Sequence, residues 1–263
     1  MRAVIRVQSM FRYLCISVVL LLLVSVVAAQ AASRTVATRP GVTVRIDVVV
    51  PDGATAMVVL LPGGGGRVQA RSEGFAHLAQ SSFVRVGVAA ALVGAPSDER
   101  NFLGGMHPDF RESEAHVTDI DAAMAALQAQ VGLPVWVAGV SLGTRSAAHY
   151  AIQRTDSIAG VVLLSSSTNP PRGKPVDAFA LDRITVPLLA IAHRDDECPG
   201  TPPAGAERIA AAATASPNAV VKIFTGGQNF GANPCRPETY HTFFGIEDAV
   251  VSAIAEFIAS NTR

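Results

Sequence analysis

Short, wholly apolar runs recur along this chain, separated by stretches whose apolar positions follow a helical period. Residues 42–50 are β-branched and alternate in polarity, the pattern of a half-buried strand. Pro51-Asp52-Gly53 then marks a turn, and together these features predict a hairpin into a strand at 56–61. Residues 85–92, 134–140, 158–164, 187–192 and 219–224 read as further strands. Continuous apolar character is what a strand covered on both faces requires. Helices are expected near 74–82, 113–130, 142–154, 203–213 and 247–260. In 113–130, Ala115, Ile120, Met124 and Leu127 fall near one face. Strands alternating with helices imply an α/β fold, with a mainly parallel central sheet and helices on both faces. No repeat or low-complexity linker interrupts the pattern. The longest irregular segment, 165–183, is too short for a large cap domain, so one domain with an open site is expected.

The first thirty residues are patterned differently. Arg2, Arg6 and Arg12 precede a nearly unbroken apolar run over 14–29, and Ala29-Gln30-Ala31 offers an A-x-A cleavage site. This is the layout of a secretory signal peptide over 1–31, with 32–263 as the mature domain. The apolar run is shorter than the ~20 residues a spanning helix needs, so no stable membrane anchor is expected after cleavage. Cys15 precedes the run, whereas a lipid-attachment cysteine would lie at the cleavage point. The expected location is secreted or periplasmic.

Composition narrows the function classes. Apolar residues make up 49% of the 263 and charged residues 16%, enough for a large core and contrary to disorder. Lys+Arg and Asp+Glu are equal at 21 each, which leaves no electrostatic footprint for nucleic acid. No Cys/His cluster has metal-ligand spacing, and no metal or organic cofactor is implied. The mature segment keeps two cysteines, Cys198 and Cys235. An even count in an exported chain suggests a disulfide, the alternative being two separate buried thiols.

The chemistry concentrates at Gly139-Val140-Ser141-Leu142-Gly143, a G-x-S-x-G sequence. The pattern alone is weak, but it lies where a strand gives way to a helix. On such a turn the serine backbone is strained and its neighbours crowd, which glycines relieve. The helix behind Ser141 would aim free N–H groups at a developing oxyanion. A serine hydroxyl needs a base to take its proton. Of the six histidines, His77, His107, His116 and His149 precede the acidic cluster or lie on helices. His193 comes before that cluster and reads as structural. His241 lies between the last strand and the last helix, where the chain order Ser, acid, His places the base. Asp195, Asp196 and Glu197 all follow the 187–192 strand. Asp196 is the preferred acid to hold the His241 tautomer. The oxyanion donors are expected to be the N–H of Leu142 and one from the glycine run 63–66, with Gly64 the first choice and Gly65 the second. A phosphate-cradling loop would need Gly-Lys-Ser/Thr there, and Gly66 is followed by Arg67-Val68.

From about residue 42 onward the chain resembles the α/β-hydrolase superfamily, on 61–66, 139–143 and the pair Asp196 and His241. His193-Arg194-Asp195-Asp196-Glu197-Cys198, Pro234-Cys235 and Tyr240-His241 also resemble a group of exported bacterial hydrolases. In that group one cysteine follows the acid and another precedes the base. The resemblance implies Asp196 as the acid and a Cys198–Cys235 bridge pinning the acid loop to the histidine loop. The chain departs from many superfamily members at His193, where they carry Gly, and at Pro62-Gly63, where they carry His-Gly. The expectation is a serine hydrolase acting on small-molecule carboxylic esters through an acyl-enzyme. A peptidase or acyltransferase with the same triad, or a catalytically silent binding protein on this fold, are the alternatives. Pocket walls are expected from loops such as 95–111 and 165–183, with segment 101–109 lining the site.

Overall fold

The structure, a computed structural model, describes residues 29–68, 74–99 and 105–262. These build an eight-stranded sheet from β1 (Ala29–Arg39), β2 (Val42–Pro51), β3 (Met57–Leu61), β4 (Ala89–Val93), β5 (Val135–Val140), β6 (Gly160–Leu164), β7 (Leu188–His193) and β8 (Ala219–Phe224). The spatial order is β1-β2-β4-β3-β5-β6-β7-β8. From β4 to β8 every neighbouring pair is parallel, while β2 pairs antiparallel with both β1 and β4.

Alternate residues of the central strands serve opposite faces. Val59, Leu61, Val135 and Val137 pack into one core layer with α2 (Glu114–Val131), α3 (Gly143–Gln153) and α4 (Gly205–Ala212). Val58, Leu60, Trp136 and Val140 pack into the other with α1 (Phe75–Arg85) and α5 (Glu247–Asn261). Because both faces are covered, every position of β3 to β7 is buried, which is why these strands read as unbroken apolar runs.

Two expectations are corrected. The hairpin between 42–50 and 56–61 does not form. β2 turns back on β1 through Pro40-Gly41, and β3 inserts between β4 and β5. The reason is burial: β3 is covered at every residue and belongs at the sheet centre, whereas β2 alternates and suits the flank. The strand expected at 85–92 starts only at Ala89, because Arg85 closes α1 and Gly87, at φ 74°, makes the turn. β1 was not anticipated.

The irregular segment 165–183 holds only two single 3-10 turns, Val176–Ala178 and Leu181–Arg183, and no cap domain. The arginines and most of the apolar run of the expected leader fall outside the described residues, as do 101–104 of the expected site lining. Ala29-Gln30-Ala31, the expected cleavage site, forms the exposed outer end of β1. No helix among the described residues is long and apolar enough to cross a membrane.

Candidate active site

The loops that leave the carboxyl ends of β3, β5, β7 and β8 carry the candidate residues, on the side of an open α/β sheet where ligands bind. Ser141 follows β5 directly and adopts φ 54°, the left-handed region that costs a non-glycine residue strain. Its N–H donates to Leu164 O of the neighbouring strand at 3.0 Å, and its carbonyl accepts from the Thr144 N–H at 3.0 Å. The glycines of the motif are dictated by contact. A Cβ on Gly143 would lie 2.0 Å from Leu61 O, and one on Gly139 2.4 Å from Gly143 O. The Leu142 N–H opens α3 ahead of its first intrahelical bond, so it is one of the free donors at a helix start.

Asp196 follows β7 and turns inward, whereas Asp195 faces solvent beside Arg194. The Asp196 side chain is 1% exposed and that of His241 is 2%. His241 Nδ1 donates to Asp196 Oδ2 at 3.0 Å. The carboxylate is held from two other sides: the Cys198 N–H donates to Oδ1 and the Thr201 hydroxyl to Oδ2, each at 2.9 Å. Thr201 Oγ1 also lies 3.1 Å from His241 Nδ1. This threonine carries no sequence motif, and only the fold reveals it. His241 belongs to a single 3-10 turn, Tyr240–Thr242, and its carbonyl accepts from Ser165 Oγ at 2.8 Å. The turn is seated by Phe243, fully buried against Phe75 and Phe224.

The Cys198–Cys235 disulfide is formed, joining the acid loop to the segment that precedes His241. The His193 ring bonds to backbone groups and not to either aspartate side chain. Its Nε2 donates to Gly226 O at 2.8 Å, its Nδ1 accepts from the Asp195 N–H at 3.1 Å, and its ring stacks on Tyr240.

Ser141, His241 and Gly63, Gly64 and Gly65 line one cavity of about 370 Å³, with Phe75, Arg67 and Arg236 at its walls. The structure thus brings together the serine, histidine and glycine loop, with Asp196 buried behind His241. No hydrogen bond joins Ser141 Oγ to His241 here; in unliganded sites such bonds are often long and tighten around substrate. Gly63 packs so closely that its Cβ would meet Ser141 Cβ at 2.9 Å. Arg111, 1% exposed, donates from Nη2 to Gly64 O at 2.9 Å and from Nη1 to Ser146 Oγ at 3.0 Å. Burial and the nearby Arg145 cation push Arg111 down to about 10, so it stays charged at neutral pH. His116 Nε2 meets the same Ser146 hydroxyl at 2.9 Å, and burial with the Arg111 charge pushes it down to about 3. Among the described residues, no group of three or more His, Cys, Asp or Glu is placed to hold a metal ion.

No family model matches the chain. No curated protein matches it either. Solved structures do. Dienelactone hydrolase from Anabaena variabilis superposes with a TM-score of 0.65 at 16% identity, covering 89% of this chain and 99% of its own. Est1E from Butyrivibrio proteoclasticus gives 0.60 at 15%, covering 87% and 98%. XC6422 from Xanthomonas campestris, described as an α/β serine hydrolase without lid, gives 0.60 at 12%, covering 88% and 94%. The chain has the fold of the α/β-hydrolase superfamily.

Proposed function

We propose that this protein is a serine hydrolase that cleaves carboxylic esters through an acyl-enzyme, with Ser141, His241 and Asp196 as its triad. One observation carries the reading: a buried His241–Asp196 pair shares a cavity with a serine strained at a strand-to-helix turn. Neither the strain nor the buried pair is needed to hold the sheet together, and both are what acyl transfer needs.

In the reaction, His241 Nε2 takes the Ser141 proton as Oγ attacks the ester carbonyl. The new oxyanion is held by the Leu142 N–H and an N–H of the Gly64-Gly65 segment. His241 then protonates the leaving alcohol, and the acyl group remains on Ser141. A water, deprotonated by His241, attacks the acyl carbon and frees the carboxylic acid and Ser141. Asp196 keeps Nδ1 protonated throughout and stabilises the imidazolium. A modest cavity, with only two 3-10 turns and no cap over 165–183, suits small esters.

The same reading places the protein outside the cytoplasm, delivered by a leader over 1–31 and oxidised there to form its disulfide; the tripartite sequence of the leader and the Cys198–Cys235 bridge support this. N-terminal sequencing of the exported protein tests it, and a retained Met1 would contradict cleavage.

The functional test is turnover of short-chain p-nitrophenyl esters beside matched anilides and alcohol acceptors. Ester hydrolysis should dominate, and Ser141→Ala should lower kcat by on the order of 10⁶, since triad members act as a unit. Faster anilide cleavage would instead make it a peptidase, and faster transfer to the acceptors an acyltransferase. Retained activity in Ser141→Ala would remove the assignment.

A further inference from the structure

Arg111 poses a question that stability does not answer. Its guanidinium is buried, yet among the described residues no carboxylate pairs with it, and its Nε has no partner. The neighbouring buried Arg145, by contrast, holds Glu112. A buried charge without an opposite charge is costly, and an apolar side chain of similar volume would fill the place more cheaply. What Arg111 touches gives the answer. One arm grips the Gly64 carbonyl of the glycine loop, and the other grips Ser146 on α3, the helix that begins at the nucleophile.

We infer that Arg111 is a positioning residue for the oxyanion hole, holding the Gly64–Gly65 peptide so that the Gly65 N–H faces the reacting carbonyl. This rests on the serine-hydrolase reading above. A trans peptide is planar, and its C=O and N–H point in opposite directions. Fixing Gly64 O therefore fixes the direction of the Gly65 N–H. The next two carbonyls are anchored as well: Gly65 O accepts from the Met106 N–H at 2.9 Å and Gly66 O from the Ala95 N–H at 2.7 Å. The Gly66 N–H is spent inside the loop on Gly63 O at 3.0 Å, whereas Gly65 lines the cavity with Ser141. Four glycines in a row resist no rotation of their own, so the orientation must be imposed from outside. A cation behind the carbonyl also polarises the peptide and strengthens its N–H as a donor. The bridge to Ser146 ties this donor to the helix that supplies the Leu142 N–H.

The test compares Arg111→Met and Arg111→Lys with wild type and Ser141→Ala in the full, oxidised protein. Turnover of a p-nitrophenyl ester is divided by the active sites counted at the end point of fluorophosphonate labelling, and melting temperatures are recorded alongside. Arg111→Met should lose at least about thirtyfold in kcat per labelled site with KM within about threefold, since an oxyanion donor acts on the transition state. Arg111→Lys, with a single donor nitrogen for two acceptors, should fall between Met and wild type. A purely structural role would lower the melting temperature and the labelled fraction while leaving kcat per site unchanged, and would overturn the inference. If Arg111→Met does not fold, Arg111→Lys decides: kcat per site equal to wild type overturns it, and a reduced kcat at constant KM supports it. Wild-type turnover that survives Ser141→Ala would overturn both readings, whereas Ser141-dependent turnover indifferent to Arg111 would overturn this one alone.

Discussion

Removing the disulfide should cost both stability and catalysis, and the structure allows the size of the first to be worked out. Cys198 and Cys235 are separated by 37 residues, a span that includes α4, β8 and the approach to His241. Closing a loop of that length restricts the unfolded chain by about 4 kcal/mol at room temperature in the chain-entropy treatment. For a domain of this size, that corresponds to a fall in melting temperature of roughly 8–16 °C. The catalytic cost is local. The Cys198 N–H is one of three donors on Asp196, and Cys235 lines the cavity on the stretch leading to His241. Loosening both loops lets the acid and base drift apart without touching Ser141. Thermal melts of the double variant Cys198→Ala/Cys235→Ala against wild type read the first effect, and ester kinetics at a temperature where both are folded read the second. Thiol titration of denatured wild type without reductant should find no Cys198 or Cys235 thiol. A double variant melting within about 2 °C of wild type would refute the loop-closure argument. One that also kept full kcat would refute the idea that the bridge aligns the triad.

Other consequences follow from the same geometry. Thr201→Val should lower kcat by roughly tenfold with little change in KM, because Asp196 loses a buried donor; unchanged kcat would show that His241 and Cys198 suffice. His116 is neutral and buried with its pKa pushed down to about 3, while in the unfolded chain it titrates near 6.5. The unfolded state therefore binds the extra proton first, and His116 should subtract stability progressively as pH falls from about 6.5 toward 3, by up to about 1.4 kcal/mol per pH unit. Denaturant midpoints of His116→Asn should decline less over that window, and an equal decline would contradict the assignment. Arg236 lines the cavity, and among the described residues no carboxylate does. Esters bearing a negative charge should accordingly be favoured in kcat/KM at low salt, with the advantage shrinking as salt rises and reversing in Arg236→Glu; salt-independent, equal rates for charged and neutral analogues would contradict it.

The central strands were legible because a parallel sheet covered on both faces demands unbroken apolar runs, and β8 was legible at its observed bounds. β1 was not, because its residues are mostly exposed, so AQAASRTVATR shows no strong alternation. The false hairpin came from a real turn at Pro51-Asp52-Gly53 that leads away from β2, since the partner of β3 is chosen by burial and not by chain proximity. Ser141 and His241 stood out through motif and chain order. The choice among Asp195, Asp196 and Glu197 depends on which side chain turns inward, a property of the loop that local spacing does not carry. Thr201 and Arg111 were invisible for a related reason: Arg111 meets Gly64 across 47 positions of the chain, and nothing near either residue announces the contact.

The most direct measurement is mass mapping of the adduct formed by a fluorophosphonate on the folded, oxidised protein, for wild type and Ser141→Ala. A single adduct on Ser141 in wild type, lost in the variant, is the predicted result. No adduct on folded wild type, or an adduct elsewhere that survives Ser141→Ala, would contradict the account and favour a binding protein on a hydrolase fold.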